Sequence, residues 1–256
     1  MEMETFLVNL RNRSLTGASN TTDAPATESL NNFDLGGIDC QDCKNTGLIS
    51  RLDESGKLVS RECPCMNRRR AMRRIRQSGM SDLIRRYTFE NYHAENGEQK
   101  KILEKARQFA EADEGWFCIS GQSGAGKSHI CTAICARLIE RNRDVYYMAW
   151  RDESTKLKSL VTDTWEYERR TQRLKRVEVL YVDDFLKVGD TDADIRLAYE
   201  ILNFRYNDTR LRTILSSEIT LEQLKQRDEA LCGRIYERAR GFVLQAPATN
   251  MRFQVR

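Results

Sequence analysis

A glycine-rich segment near the middle of the chain ends in lysine and serine, in the pattern G-x-x-x-x-G-K-[ST]. Its eight residues are Gly121, Gln122, Ser123, Gly124, Ala125, Gly126, Lys127 and Ser128. In such a loop the backbone N–H groups approach phosphate oxygens closely, and a β-carbon at the glycines would obstruct them. Lys127 is expected to neutralise the β- and γ-phosphates and Ser128 to ligate Mg²⁺. The pattern predicts that the chain binds ATP or GTP.

Two acids follow an apolar run, in the sequence VEVLYVDD at residues 177–184. Nucleotide hydrolysis needs a carboxylate that supports Mg²⁺ and a base that orients the attacking water. We assign the first role to Asp183 and the second to Asp184. Because aspartate is shorter than glutamate, slow hydrolysis is expected. The alternative is a buried strand that ends in an acidic turn.

Further polar residues follow later in the chain. Ser217 and Glu218 end another apolar run, where a polar side chain can sense the γ-phosphate or simply cap a helix. Arg234 and Arg238 are four residues apart and therefore share one helix face. A guanidinium from a neighbouring subunit can stabilise a transferring phosphoryl group. From spacing alone, a solvated basic face is the favoured interpretation of this arginine pair.

Four of the eight cysteines form two close pairs, Cys40 with Cys43 and Cys63 with Cys65. Four thiolates gathered in this way make a closed tetrahedral zinc site, which would fold a small module and leave no position for a substrate. Unligated, reduced cysteines in a disordered tail are the alternative. The remaining cysteines are interpreted as small apolar residues: Cys118, Cys131, Cys135 and Cys232.

A phosphate loop has to follow a strand and begin a helix, and the flanking apolar patterns supply both. Beyond the loop, short apolar runs alternate with helical segments, which is typical of a parallel sheet covered on both faces. The predicted strands are residues 116–120, 145–149, 177–182, 212–217 and 241–245. One long charged helical stretch is expected at residues 152–175. The predicted fold class is α/β, a three-layer core with a central parallel sheet.

The N-terminal part of the chain differs from this core in composition. Residues 1–37 are rich in Ser, Thr, Asn and Asp and are expected to be flexible. Residues 38–80 combine the cysteines with a basic helix, 81–98 form an aromatic linker, and 99–256 form the nucleotide-binding domain. The arginines of the basic helix are Arg68, Arg69, Arg70, Arg73, Arg74 and Arg76. Such density suits a nucleic-acid backbone or an acidic protein surface, and a merely solvated helix is the alternative.

The composition excludes several protein classes. The chain of 256 residues carries a net charge of only +4 and contains no run of about 18 apolar residues that could cross a bilayer. With no apolar signal-peptide centre at the N-terminus, we expect a soluble cytoplasmic protein whose thiols remain reduced. Trp165 and Tyr167 lie among several cations, where they could stack on a single strand of nucleic acid or pack on the core.

Taken together, these motifs resemble those of the DnaC/DnaI-like replicative helicase loaders, AAA+ ATPases of the ASCE P-loop class, particularly their phage and prophage versions. The resemblance covers roughly residues 38–256. Besides the phosphate loop, the stretches that carry it are CQDCKNTG at 40–47 with CPC at 63–65, RYTFENY at 86–92, VLYVDD at 179–184, LSSE at 215–218, DEA at 228–230 and GRIYE at 233–237. The resemblance implies ATP and not GTP.

Residue roles also follow from this resemblance. Arg234 would be an arginine finger acting on the adjacent subunit's ATP, with Arg238 assisting, and Arg252 would sense the nucleotide of its own subunit. The stretch at 152–175 would match an insert linked with single-stranded DNA. The zinc module would hold the hexameric replicative helicase, and the ATPase domain would self-associate through its ATP site. With about 17 residues after the last predicted helix, no large C-terminal lid is expected.

These inferences predict an ATPase that loads the replicative helicase onto single-stranded DNA during replication initiation, with ATP as an assembly switch. One alternative is a transposition-helper ATPase of the IstB type, which shares the core but acts on a transposase and duplex DNA. Another is a zinc-containing nucleic-acid-binding adaptor with a vestigial ATPase. The cysteine module favours the loader over the first alternative, and the intact Lys127, Ser128 and Asp183 count against the second.

Overall fold

The computed structural model describes residues 39–77 and 80–248, and all structural statements below concern these residues. The strands are β1 (Leu48–Leu52), β2 (Leu58–Glu62), β3 (Trp116–Ser120), β4 (Val145–Ala149), β5 (Val179–Asp183), β6 (Arg212–Ser217) and β7 (Val243–Gln245). The helices are α1 (Cys65–Gln77), α2 (Ser81–Arg86), α3 (Gly97–Glu111), α4 (Lys127–Glu140), α5 (Trp150–Ser159), α6 (Thr164–Arg176), α7 (Asp192–Tyr206), α8 (Leu221–Arg227) and α9 (Glu229–Arg238).

The central sheet has five parallel strands in the order β4-β5-β6-β3-β7. Successive residues of a strand point to opposite faces, and both faces of this sheet are apolar. Phe117 and Ile119 enter one hydrophobic cluster, while Trp116 and Cys118 enter the other. The first cluster is completed by α1 to α4, and the second by helices that include α7 and α9. The predicted α/β core with a central parallel sheet between two helical layers is therefore confirmed.

The basic helix α1 is part of this core. Its apolar residues Ala71, Met72 and Ile75 are buried in the same cluster as the helix that follows the phosphate loop, and Met80 joins them. The helix packs against strand β4 and helix α4. The boundary predicted between residues 80 and 81 therefore lies in a packed region, because α1 and Met80 share one hydrophobic cluster with α4.

Several arginines of α1 are engaged within the chain. Arg68 and Arg69 are buried, and Arg69 donates a hydrogen bond of 2.7 Å to Asn45 Oδ1 in the cysteine module. The ion-paired arginines and their partners are Arg70 with Glu62 and Arg74 with Asp144. The helix is thus neither a merely solvated helix nor an open row of cations. Some of its arginines bond to the cysteine module, and Arg74 bonds to Asp144 in the core.

The charged stretch expected as one long helix at residues 152–175 is two helices, α5 and α6. The chain turns at residues 160–163, and the side chain of Asp163 accepts a hydrogen bond of 3.1 Å from Glu166 N. This contact caps α6 by satisfying a backbone N–H that has no partner inside the helix. An aspartate two residues before Trp165 was the available sequence signal for this break.

None of the helices in the described ranges is long and apolar enough to cross a membrane.

Candidate nucleotide site and metal centre

The phosphate loop connects β3 to α4 beside the last strand of the sheet. A Cβ at Gly121 would lie 3.0 Å from the carbonyl oxygen of Ala246, which follows β7. That strand approaches closely because Ala246 N donates a hydrogen bond of 2.7 Å to Ser120 O. Gly126 has φ of 82° and leads directly into α4, a conformation that L side chains rarely adopt. Both glycines are therefore required by the local backbone.

Lys127 lies folded over the loop. Its Nζ donates hydrogen bonds of 2.7 Å to Gly121 O and 2.8 Å to Gln122 O. Burial lowers the pKa of this lysine, while the charges of Glu218, Asp184 and Asp183 oppose that shift. The ammonium group therefore sits among backbone carbonyls at the start of α4, where an incoming phosphate would compete for it.

Asp183 stands at the carboxyl end of β5 and collects hydroxyl groups from several elements. Its Oδ1 accepts hydrogen bonds from Ser128 Oγ at 3.1 Å and Tyr181 OH at 2.7 Å, and also from Ser216 Oγ. Its Oδ2 accepts one from Tyr147 OH at 3.3 Å. The structure thus brings Ser128 and Asp183 together. A hydroxyl and a carboxylate oxygen at the base of a phosphate loop are hard ligands of the kind that Mg²⁺ takes, so the donor set fits this ion.

Asp184 lies beside Asp183 but faces different partners. Its φ is 55°, an unusual conformation for a residue that is not glycine. Its Oδ2 lies 3.1 Å from Lys187 Nζ, and the same ammonium group lies 3.4 Å from Glu218 Oε1. Asp184, the predicted water-orienting acid, and Glu218, a predicted sensor, are therefore both paired with Lys187.

Ser217, which was expected either to sense the γ-phosphate or to cap a helix, makes its side-chain contacts close by in the chain. Its side chain is buried, donates to Leu186 O at 3.3 Å and accepts a hydrogen bond of 3.1 Å from Ile219 N. Both contacts shape the turn after β6 and leave no hydroxyl directed at the phosphate loop. The preceding Ser216 points to the other face of the strand and reaches Asp183, and its Oγ also accepts from Asp184 N at 3.1 Å. Strand alternation was the signal that could have identified it.

The two arginines of α9 have separate surroundings. Arg234 donates to Asn203 Oδ1 at 2.7 Å and stacks over Tyr199 at 4.8 Å from the ring centre. Arg238 donates to the carbonyl oxygen of Thr209 at 3.0 Å, a contact that joins α9 to the loop before β6. The predicted sensor Arg252 lies outside the described residues.

The four cysteines Cys40, Cys43, Cys63 and Cys65 come together in one buried cluster and form no disulfide. All four sulfur atoms lie within 4.8 Å of one another. The closest pairs are 3.7 Å for Cys40 with Cys63 and 3.6 Å for Cys43 with Cys65. Tetrahedral zinc with Zn–S bonds of about 2.3 Å requires sulfur separations of about 3.8 Å. The cluster therefore fits a structural zinc ion.

The cysteines of the nucleotide-binding core are buried as expected. Burial raises the pKa of Cys118 to about 12 and raises that of Cys131 well above its ordinary value. A thiol that is protonated and covered by apolar neighbours is a poor nucleophile and a poor metal ligand. These side chains therefore pack as small apolar residues.

The aromatic linker contacts the nucleotide site through His129, which sequence reasoning did not single out. The imidazole stacks on Tyr87 with 4.7 Å between ring centres and meets Tyr92 edge-on at 5.1 Å. Its Nε2 lies 2.9 Å from Thr88 O and 3.0 Å from Asn91 Oδ1. The position directly after Ser128 was the available signal. The linker is thus fastened to the first turn of α4.

Comparison with known proteins agrees with this geometry. The model of the IstB-like ATP binding protein family matches residues 41–253. The phage-like element PBSX protein XkdC of Bacillus subtilis (strain 168) is 29% identical over 230 residues, which cover 84% of this chain and 83% of that protein. The replicative helicase loader DnaC of Escherichia coli (strain K12) is 27% identical over 193 residues, which cover 73% of this chain and 79% of DnaC.

A solved structure supports the same fold. The crystal structure of the DnaC helicase loader aligns with a TM-score of 0.57 at 22% identity, covering 63% of this chain and 97% of that one. The resemblance predicted from the motifs is therefore confirmed at the level of the family. Since the family match spans far more than half of the chain, this protein belongs to the IstB-like ATP-binding protein family, as an AAA+ ATPase homologous to the DnaC helicase loaders.

Proposed function

We propose that this ATPase loads a replicative DNA helicase onto single-stranded DNA during replication initiation. The observation that carries the proposal is the combination, in one chain homologous to a replicative helicase loader, of an intact phosphate loop and a separate hairpin anchored by four cysteines. ATP binding would order an assembly of chains, and hydrolysis would reset it. Because replication takes place there, we expect the protein in the cytoplasm.

The hairpin of β1 and β2 is the proposed contact with the helicase. Leu52 and Leu58 are cross-strand partners at its tip and remain 69% and 64% exposed. Leu48 is 54% exposed and Val59 is 50% exposed on the same hairpin. Clustered exposed apolar side chains are typical of protein interaction sites. A bound zinc ion would make the base of the hairpin rigid and so present these residues in a fixed arrangement.

Single-stranded DNA is the proposed substrate of the assembled complex, and α6 offers a suitable surface. Trp165 is 74% exposed, and the guanidinium of Arg169 lies 5.5 Å from its ring centre. An exposed indole beside a cation can stack on a base while the cation faces the phosphate backbone. Tyr167 belongs to the core surface instead, since its hydroxyl donates to Glu200 Oε2 at 2.6 Å.

Self-association through the ATP site completes the proposal. Arg234 would reach the ATP of a neighbouring chain from the surface of α9, on which Tyr236 is 60% exposed. To reach the neighbouring chain, Arg234 would give up its hydrogen bond to Asn203 and would instead contact the negative charge of the transferring phosphoryl group. Arg238 would support the helix, because it contacts the backbone of its own chain.

A second candidate function is a transposition helper of the IstB type, and the name of the matching family favours it. Such a protein would bind a transposase and duplex DNA and would not retain a helicase. The hairpin would then contact the transposase.

Helicase capture tests the proposal. The full chain, immobilised and supplied with ATP, should retain the replicative helicase of the same cell, and the double variant Leu52→Ser/Leu58→Ser should retain at least tenfold less. Loss of two exposed apolar contacts of roughly 1 kcal/mol each accounts for that change. Val161→Ser is the matched control, because Val161 is 67% exposed on a different surface. A wild-type chain that retains no helicase with or without ATP would contradict the loader, and ATP-dependent retention on duplex DNA would favour the transposition helper.

A further inference from the structure

The turn after β5 directs a lysine back toward the nucleotide site. Lys187 Nζ lies 3.1 Å from Asp184 Oδ2 and 3.4 Å from Glu218 Oε1, and its side chain is only 29% exposed. Asp184 is the acid proposed to orient the attacking water. Its carboxylate is engaged in an ion pair with Lys187. Two acids whose charges act on Lys127 of the phosphate loop are therefore coupled through one ammonium group.

The backbone around Lys187 is held from several directions. Its N–H donates to Asp190 Oδ2 at 3.0 Å, and its carbonyl oxygen accepts from Arg227 Nη1 at 3.2 Å. Trp150 Nε1 also donates to Asp190 Oδ2, at 3.2 Å. The position of Lys187 is therefore set by contacts with α5 and α8 as well as by its ion pair.

Strain in this turn indicates a function. Asp184 and Leu186 have φ of 55° and 46°, and neither residue is glycine. The buried side chains of Phe185 and Leu186 compensate by anchoring the turn in the hydrophobic cluster beneath it. Strained backbone that the surrounding structure holds in place is concentrated at functional sites. This turn brings Lys187 Nζ within 3.1 Å of Asp184 Oδ2.

The charges around the site keep this lysine protonated. Partial burial alone would lower the pKa of Lys187, but the hydrogen bond to Asp184 and the charges of Asp184 and Glu218 outweigh it and raise the pKa. Lys127 faces the same carboxylates from the phosphate loop. Lys187 thus remains a cation between two acids.

We propose that Lys187 is a positioning residue that restrains ATP hydrolysis in the isolated chain by holding Asp184 in an ion pair, with Glu218 as a second anchor. In hydrolysis the water oxygen bonds to the γ-phosphorus, the bond from this phosphorus to the bridging oxygen breaks, and a water proton passes toward Asp184. While the pair is closed, the Asp184 carboxylate is engaged with Lys187 Nζ and is not free to orient the attacking water. Assembly would release the pair. This inference rests on the proposed role of Asp184 and not on the identity of the partner.

The test compares ATP hydrolysis by full-length variants in the absence of helicase and DNA. Lys187→Met and Lys187→Gln should raise kcat about three- to fivefold and change the Kd for ATP less than twofold. The expected change in kcat is modest because an ion pair between partly exposed side chains contributes little free energy. Lys187→Arg should keep the slow rate. Lys225→Met is the control and should leave kcat unchanged, since the ion-pair partner of Lys225 within the described residues is Glu229, at 3.7 Å, and not Asp184 or Glu218.

An unchanged or lower kcat in both Lys187→Met and Lys187→Gln, with ATP binding intact, would overturn the proposal. The double variant Asp184→Asn/Lys187→Met should fall to the background rate; a double variant as fast as Lys187→Met would show that Asp184 is not the group restrained. Since no helicase is present, these outcomes are independent of the capture experiment.

Discussion

Asp183 is held by hydroxyl groups from several elements of the core. Tyr181, Ser216 and Ser128 donate to one carboxylate oxygen and Tyr147 to the other. Groups behind a metal-supporting carboxylate fix its orientation and so contribute to metal affinity. The orientation of Asp183 therefore depends on neighbours from β4, β5, β6 and α4, and we expect the chemistry at this residue to be sensitive to hydroxyl groups that never touch the nucleotide.

Ser216→Ala should lower kcat for ATP hydrolysis by about tenfold or more, because a hydrogen bond to a charged group contributes ~1.5–3 kcal/mol. The variant also loses the acceptor for Asp184 N. Steady-state hydrolysis with varied Mg²⁺ is the measurement, and more Mg²⁺ should recover part of the rate. Ser217→Ala, which changes the neighbouring hydroxyl, should cost less. A larger loss of kcat in Ser217→Ala than in Ser216→Ala would contradict this assignment.

At the residue scale, the sequence predicts the groups that belong to a fixed pattern. The phosphate loop and Asp183 were identifiable because their spacing and their place at the end of a strand are dictated by phosphate and metal chemistry. Ser216 and Lys187 were not identified, since their roles depend on which way a strand face points and on how a strained turn closes. Neither property is encoded in residue type alone.

At the scale of elements, α1 serves two parts of the molecule. It begins at Cys65, one of the clustered cysteines, and its apolar stripe packs against β4 and α4. Its first turn therefore depends on the cysteine cluster, whereas its later turns are held by the core. We expect removal of a zinc ion to loosen the hairpin and the start of α1 without unfolding the ATPase core.

Thiol labelling tests this expectation. At about pH 8, gently purified protein should contain about one zinc ion per chain and react slowly with a thiol reagent, and a chelator should make four cysteines reactive. The core thiols should stay unreactive, because a thiol with a pKa of about 12, as at Cys118, has about one part in ten thousand of its population as thiolate at this pH. Replacing Cys232 by alanine should leave the number of thiols that react after chelation unchanged. Four rapidly reacting thiols before chelation would contradict the zinc site.

The boundaries of elements were predicted unevenly. Strands β3, β4 and β6 occupy the predicted residues. Short apolar runs bounded by polar residues leave little choice of where a strand begins and ends. The break between α5 and α6 was missed because charged helical residues flank the short segment LVTD at 160–163 on both sides, and the cap at Asp163 is the contact that separates the two helices. Where a helix packs, as α1 shows, depends on distant surfaces that no local pattern specifies.

On the scale of the whole molecule, the nucleotide site and the cysteine module are mechanically connected. His129, at the start of α4, holds the linker through Thr88 and Asn91 and stacks on Tyr87. The linker continues back into α2 and α1, and α1 begins in the cysteine cluster. We therefore expect a movement of the phosphate loop on binding ATP to be transmitted to the hairpin. An assembly switch requires such a connection.

A helicase-loading assay distinguishes a loader from a protein that only binds and hydrolyses ATP. The replicative helicase, single-stranded DNA coated with its binding protein, this chain and ATP would be mixed, and helicase bound to DNA would be measured by its unwinding activity. Wild-type protein should raise loading at least tenfold. Lys127→Ala should abolish loading with loss of ATP binding, whereas Arg234→Ala should abolish it with ATP binding intact. Loading that is the same without this chain, or undiminished in Lys127→Ala, would show that this protein is not an ATP-dependent helicase loader.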